Sequence, residues 1–289
     1  MQQVFFQETE FLNSVIDYNH KIEAENLCLD IAYGTDKNFL FGCGISIASI
    51  LKYNEGNQLC FHIFTDYFGD DDRKYFDALA RQYKTRIKIY LINGDRLRSL
   101  PCTKNWTHAI YFRFVIADYF FNKAPKVLYL DADILFNREP ELLYDIDVKG
   151  YEYAAARDHY GKYLINPNYI NAGVLLFNMA EIKKTGLFEK ARHLIKTKKL
   201  LFADQDAVYR STTAKKMLPQ KYNDQKFLHK STIIRHFSKR LFYLPYPHTA
   251  NIKQWNVSAI HRIFKYEAFD DILFEYIYLK KKFEQDTKR

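Results

Sequence analysis

Cysteine is scarce in this 289-residue chain: Cys28, Cys43, Cys60 and Cys102 are the four, all in the first half and with no Cys-x-x-Cys spacing. That argues against a disulfide framework or a structural zinc site and suits a reducing cytoplasm. Tryptophan is scarcer still, with two residues against 23 tyrosines and 24 phenylalanines. No stretch reaches the roughly 20 apolar residues a spanning helix needs. The richest, Tyr111 to Phe121, is broken by Arg113 and Asp118. The first residues, Met1 to Glu8, lack the basic start and apolar run of a secretory signal. Internal repeats, low-complexity tracts and flexible linkers are also missing. A soluble or peripheral protein with one main domain is expected.

What the chain does have is ordinary apolar content and a surplus of positive charge. Hydrophobic residues make up 48%, charged residues 27%, and the formal net charge is +9. A basic surface fits nucleic acid, an anionic membrane or a phosphorylated substrate. The basic residues are dispersed, and no helix-turn-helix, zinc-finger or RNA-recognition signature occurs, so no nucleic-acid partner is expected. Most of the rings belong in the core, although tyrosine also suits sugars and bases.

The pattern along the chain predicts alternating strands and helices. Residues 1–26 read as an N-terminal arm or short helix. Strands are expected at Leu27–Tyr33, Leu59–Thr65 and Arg86–Ile92, with helices at Phe39 to about Tyr53 and Asp71–Tyr83 between them. A helix over Trp106–Phe121 precedes Lys126–Leu130, an apolar run without alternation and hence a strand buried on both faces. Another strand is expected at Ala172–Phe177, and residues 180–200 form a basic helical stretch. Such βαβ spacing implies an α/β fold with a mainly parallel central sheet. The 27–245 segment is expected to be the catalytic domain. Residues 246–289 make a small C-terminal helical extension with an amphipathic basic helix over Phe269–Phe283. That helix either packs on the core or anchors to anionic lipid.

The most informative motif is Leu128-Tyr129-Leu130-Asp131-Ala132-Asp133-Ile134-Leu135-Phe136. Two acids interrupt an apolar run where a strand ends, which is where open α/β sheets bind ligands. Burying unpaired charge is costly, and a hard divalent cation resolves the conflict. Haloacid-dehalogenase-type phosphatases also use Asp-x-Asp after a strand, but near the start of the domain. Here the pair sits mid-chain.

Five blocks in order resemble glycosyltransferase family 8. They are Ala32-Tyr33-Gly34-Thr35-Asp36-Lys37-Asn38-Phe39, the Arg113 segment, the Asp131/Asp133 pair, Asn171-Ala172-Gly173-Val174-Leu175-Leu176, and Asp204-Gln205-Asp206. They cover roughly residues 27–240, and the Tyr33–Ser46 and Thr103–Tyr119 stretches look most like bacterial lipopolysaccharide core glucosyl- and galactosyltransferases. The resemblance implies a GT-A nucleotide-sugar-binding fold. It also implies a UDP-glucose or UDP-galactose donor, Mn2+ (or Mg2+), a saccharide or lipopolysaccharide core acceptor, and retention at the anomeric carbon. A cytoplasmic protein, peripheral on the inner membrane, would fit. The other readings are a nucleotide-sugar- or nucleic-acid-binding protein without turnover.

Carried over by position, Asp131, Asp133 and His236 match the metal ligands. Tyr33, Gly34, Asp36 and Asn38 match the uracil and ribose pocket, and Arg113 and Ala132 the rest of the donor site. Asn171, Asp204 and Gln205 match residues around the transferred hexose, and Asp158 a position between donor and acceptor. Gln205 stands nearest the β face, and an amide is a poor nucleophile, so same-face attack by the acceptor hydroxyl is expected. The sequence departs from the family after His236, where a glycine and Lys-Pro-Trp are usual. The candidates for the lysine on the diphosphate are Lys239 and Lys253, and Lys253, two residues before Trp255, is preferred.

Overall fold

A computed structural model describes residues 11–21, 29–54, 58–97, 100, 107–139, 141–226, 228–242, 246–274, 277, 278 and 281. In chain order its strands begin β1 (Leu12–Asn19), β2 (Leu29–Thr35), β3 (Leu59–Thr65), β4 (Arg86–Ile92), β5 (Lys126–Leu130) and β6 (Ile134–Phe136). They continue β7 (Tyr153–Ala156), β8 (Val174–Asn178), β9 (Lys215–Leu218), β10 (Ile234–His236), β11 (Arg240–Phe242) and β12 (His248–Ala250). The longer helices are α1 (Leu40–Leu51), α2 (Asp70–Gln82), α3 (Phe112–Phe120), α4 (Met179–Thr185), α5 (Leu187–Thr197) and α6 (Ala203–Ser211).

Eight strands form one sheet in the order β1-β4-β3-β2-β5-β8-β7-β9. The ladders β4/β3, β3/β2, β2/β5 and β7/β9 are parallel. Those joining β1 to β4, β5 to β8 and β8 to β7 are antiparallel. The mainly parallel α/β architecture expected from the sequence is therefore present. Strand alternation feeds two cores. Ile31 and Tyr33 of β2 point to the layer of α1 and α2, and Ala32 points to the layer of α3, α4 and α5. Each layer covers one face, which is why β3 is buried at every position and carries no polar/apolar alternation. Asp70, Asp71 and Asp72 open α2 against the positive end of its dipole, and an Asp72 carboxylate oxygen accepts from the Gly69 N–H at 3.0 Å.

Two expectations about organisation are corrected, and one that was left open is decided. Residues 12–19, expected in an arm ahead of the fold, are a strand of the central sheet. Arg86 on β4 donates from Nε and Nη2 to the Asp17 carboxylate at 2.9 and 2.5 Å. Residues 1–10 lie outside the described residues. The boundary expected at 245/246 falls within a hairpin, because β11 pairs with β12 across it. The apolar stripe of the last helix packs inward: Phe269, Ile272 and Leu273 join the core beside Ile260 and Phe237. Lys52, just past α1, pairs with Asp271 on the outer side of that helix. Lys281 is exposed, while Lys280, Lys282, Lys288 and Arg289 lie outside the described residues. No described helix is long and apolar enough to cross a membrane.

Candidate active site

The candidate residues gather where strands end. Asp36 follows β2 and Asp131 follows its parallel neighbour β5, so both acids emerge from the carboxyl edge of the sheet. Asp158 follows β7, and Asn171-Ala172-Gly173 leads into the antiparallel strand β8 at that same edge. The Asp131 N–H donates to the Gly173 carbonyl at 2.8 Å, locking the two segments together. The two-stranded ladder of β6 and β10 pairs His236 with Ile134, which draws the histidine over Asp133.

Asp131, Asp133 and His236 offer ligand atoms that all lie within 4.8 Å of one another. His236 Nε2 is 3.1 Å from Asp133 Oδ1 and 4.0 Å from Asp131 Oδ2. The set leans on Gly173, where a methyl group would sit 2.4 Å from His236 Cε1 and 2.8 Å from Asp131 Oδ2. Only a residue without a side chain lets ring and carboxylate approach. Two carboxylates and an imidazole nitrogen converging on one point suit a divalent cation with oxygen and nitrogen ligands.

Two cations brace this centre. Lys253 Nζ donates to Asp133 Oδ2 at 2.5 Å and to the Phe237 carbonyl at 3.0 Å. Burial opposes ionisation of Asp133, but the Lys253 ammonium outweighs it and holds its carboxyl far below the usual range. Lys253 is brought in by its neighbours. Gln254 donates to the carbonyls of Ala132 (2.7 Å) and Gly42 (3.2 Å), and Trp255 meets Phe39 edge-on at 5.5 Å. Lys239 is exposed.

Arg113, on α3, is fully enclosed. It donates to the Ala172 carbonyl (3.0 Å) and Asp131 Oδ1 (3.2 Å) and lies over the Tyr129 ring. Its Nε is 3.0 Å from Asp204 Oδ2, an ion-pair distance, although the N–H direction is wrong for a hydrogen bond. Burial works against the guanidinium charge, yet Asp204, Tyr129 and Asp131 raise its affinity for the proton. The Tyr129 hydroxyl donates to Asp131 Oδ1 at 2.9 Å. Arg113 is thus held by the chain's own groups. Its fork is spent on Asp131, Asp204 and Ala172, because a buried guanidinium must be paired where it lies.

The other expected residues take different places. Tyr33 is fully buried: its ring is in the core and its hydroxyl pairs with Ser46 Oγ at 3.0 Å. Gly34 faces α3, where a methyl group would meet Phe112 Cβ at 2.8 Å. Asp36 accepts from the Asn38 N–H (2.9 Å) and the Thr107 hydroxyl (2.8 Å), and Asn38 is exposed beside it. Gln205 Oε1 accepts from the Ala172 N–H at 2.9 Å. Burial pushes the Asp204 carboxyl above its ordinary range, against the pull of Arg113. Asp206, quoted in the sequence motif without a role, is fully buried and accepts from the Tyr169 hydroxyl (2.5 Å) and the N–H groups of Leu201 (3.0 Å) and Phe202 (3.3 Å). It seats the start of α6, which carries Asp204 and Gln205.

Sequence reasoning missed Asn223. It is fully buried between His236 and Asn171, with its Oδ1 3.0 Å from His236 Nδ1 and its Nδ2 2.9 Å from Asn171 Oδ1. A second group, Asp30, Cys60 and His62, also clusters, but at the opposite, amino-terminal ends of β2 and β3. There His62 is satisfied by Asp30 (2.8 Å) and the Tyr90 hydroxyl (2.9 Å).

The chain matches known proteins as follows. The sequence model of Glycosyl transferase family 8 fits residues 30–238. Over 132 residues, 46% of this chain and 39% of the relative, it is 94% identical to the lipopolysaccharide glucosyltransferase WaaO of Escherichia coli strain K12. Over 224 residues, 72% of this chain and 66% of the relative, it is 40% identical to the lipopolysaccharide 1,3-galactosyltransferase of Salmonella typhimurium strain LT2. The chain thus spans less than two thirds of the length of either relative. The crystal structure of the galactosyltransferase LgtC in complex with donor and acceptor sugar analogs superposes with a TM-score of 0.66, covering 88% of this chain and 96% of that one. At 18% identity that match speaks for the fold alone.

Proposed function

The chain belongs to glycosyltransferase family 8 and has its GT-A fold, and we propose that it transfers glucose or galactose from a UDP-sugar to a saccharide of the lipopolysaccharide core. The observation that carries this is the convergence of Asp131, Asp133 and His236 at the carboxyl edge of the sheet, in a family whose relatives carry lipopolysaccharide glucosyl- and galactosyltransferase names. The residues fit a divalent cation, Mn2+ or Mg2+. Asp131, Asp133 and Asp204 outnumber the Arg113 and Lys253 charges around them, and Gly173 keeps the ligand side clear. Such a cation would neutralise the diphosphate and favour its departure.

The chain's own groups supply the rest. Asp36 and Asn38 would hold the uracil and ribose, and Ala132 and Asp133 the sugar-phosphate end. Lys253, already at the metal carboxylate, would meet the charge that develops on the leaving diphosphate. Asn171, Asp204 and Gln205 would orient the hexose. The Gln205 amide oxygen accepts from a backbone N–H, and an amide is a weak nucleophile, so the chain offers no evident covalent route there. The acceptor hydroxyl attacks on the face the diphosphate leaves, the leaving phosphate oxygen takes its proton, and configuration is retained. Positioning and charge stabilisation are the protein's share. Arg113 acts at one remove, fixing Asp131 and Asp204. A cytoplasmic site of action, peripheral at the inner membrane, fits a lipid-linked acceptor and the net charge of +9.

A UDP-release screen over UDP-hexoses, with truncated lipopolysaccharide acceptors and with or without Mn2+, tests the proposal. Release from UDP-glucose or UDP-galactose that needs both acceptor and metal is expected. No acceptor-dependent release from any UDP-hexose would refute it.

A further inference from the structure

Four side chains run in an unbroken hydrogen-bonded line from the end of β7 to the metal-site histidine. Asp158 Oδ1 accepts from the N–H groups of Tyr160 (3.0 Å) and Gly161 (2.6 Å), and its Oδ2 accepts from Asn171 Nδ2 at 3.0 Å. Asn171 Oδ1 accepts from the Gly173 N–H at 3.0 Å and from Asn223 Nδ2 at 2.9 Å. Asn223 Oδ1 then faces His236 Nδ1 at 3.0 Å. Asn171, Asn223 and His236 are all buried.

The direction of this line is set at its far end. A side-chain amide donates from one end and accepts at the other. The Asp158 carboxylate accepts, so Asn171 must turn its NH2 towards it. The Gly173 N–H can only donate, and it independently requires the Asn171 oxygen on the other side. With that oxygen fixed, Asn223 must present its NH2 to Asn171 and its own oxygen to His236. A neutral imidazole that meets an acceptor at Nδ1 carries its hydrogen there, which leaves Nε2 bare. Nε2 is the atom 3.1 Å from Asp133 Oδ1. A bare nitrogen facing two carboxylates is unfavourable alone and becomes favourable with a cation between them.

We infer that Asp158, Asn171 and Asn223 are positioning residues that fix the tautomer of His236 and aim its bare Nε2 at the cation site. The inference rests on the reading that Asp131, Asp133 and His236 hold a divalent cation. It gives Asp158 a role through other side chains, which its expected position between donor and acceptor did not suggest. Hydrogen bonds from the outer nitrogen of a ligating histidine are known to set ring orientation and ligand strength.

Two measurements test it. 15N NMR of histidine-labelled protein at mildly alkaline pH reads the tautomer, with His236 assigned by the signal lost in His236→Gln. The Nδ1–H form is expected in the unaltered chain, and an Nε2–H form there would overturn the inference without any change to the relay residues. Electron paramagnetic resonance of free Mn2+ measures binding. Asn223→Leu, which removes the acceptor, should weaken binding roughly 10- to 100-fold. Asn223→Asp, which keeps an oxygen at Nδ1, should recover most of that loss. Asn223→Leu that melts as the unaltered chain does and binds Mn2+ equally well would also overturn it. If the unaltered chain binds no Mn2+, the metal reading falls and this inference with it, whereas an Nε2–H tautomer in a chain that does bind Mn2+ overturns this inference alone.

Discussion

At the residue scale the chemistry depends on close approaches that a sequence does not display. Gly173 reads as a small residue before a strand, yet an added methyl group would lie 2.4 Å from His236 Cε1. Gly173→Ala should therefore weaken Mn2+ binding strongly, with a stability cost of about 1–3 kcal/mol from overpacking. Calorimetric titration with Mn2+ beside a thermal melt checks both, and unchanged affinity would mean that the His236–Asp131 approach is not needed. The two lysines differ as sharply. Lys253 is bonded to Asp133, and Lys239 is exposed. Lys253→Ala should cut turnover by roughly 100-fold or more, as loss of a charge-stabilising donor does, and Lys239→Ala should leave it near normal. UDP release at saturating donor measures the difference, and the reverse ranking would assign the diphosphate to Lys239. The Asp131/Asp133 pair was legible because acids at a strand end conflict with their apolar flanks, whereas His236 was singled out only by its position in the family resemblance. Asn223 was not, because a lone asparagine becomes informative only once its partners Asn171, ahead of β8, and His236, on β10, are known.

At the element scale the readable parts were those with strong local patterns. The expected spans for β3, β4 and β5 coincide with the observed strands, since β3 and β5 are mostly apolar runs and β4 starts in polar/apolar alternation, each closed by a polar residue. Strand β1 escaped because it lies at the sheet edge, where alternate residues face solvent and polar side chains are tolerated. Its attachment through Asp17 and Arg86 can be tested. Burial raises the Asp17 carboxyl, but the Arg86 bonds prevail and its native value lies below the ordinary one. A lowered carboxylate value adds stability above the unfolded value of about 3.9 and loses it as the pH falls through the native value. Asp17→Asn should cost at most about 1 kcal/mol at pH 7, since both partners are about a third exposed. The gap between it and the unaltered chain should close in acid, as urea melts at pH 7 and pH 3 would show. The last helix was read as amphipathic, but its pattern could not say what covers the apolar side. With Leu273 in the core, Leu273→Ala should cost about 2–5 kcal/mol. A melt unchanged by that substitution would contradict the packing and revive the lipid anchor.

For the whole molecule, βαβ spacing was enough to predict the sheet, but not its antiparallel middle. β8 inserts between β5 and β7 by long-range pairing, and neither its neighbours nor its direction is written in local periodicity. That insertion brings Asn171 and Gly173 against Asp131, so the part of the topology least visible in the sequence builds half of the site. The same holds for the segment around Lys253, which returns to Asp133 from 120 residues further along the chain. The activity proposed for this assembly is metal-dependent hexosyl transfer through Asp133. The direct measurement is acceptor-dependent UDP release by the unaltered chain and by Asp133→Asn, each with Mn2+ and with a chelator. Release is expected from the unaltered chain with Mn2+ and not with chelator, and from a folded Asp133→Asn in neither condition. Full release by Asp133→Asn in chelator would contradict it.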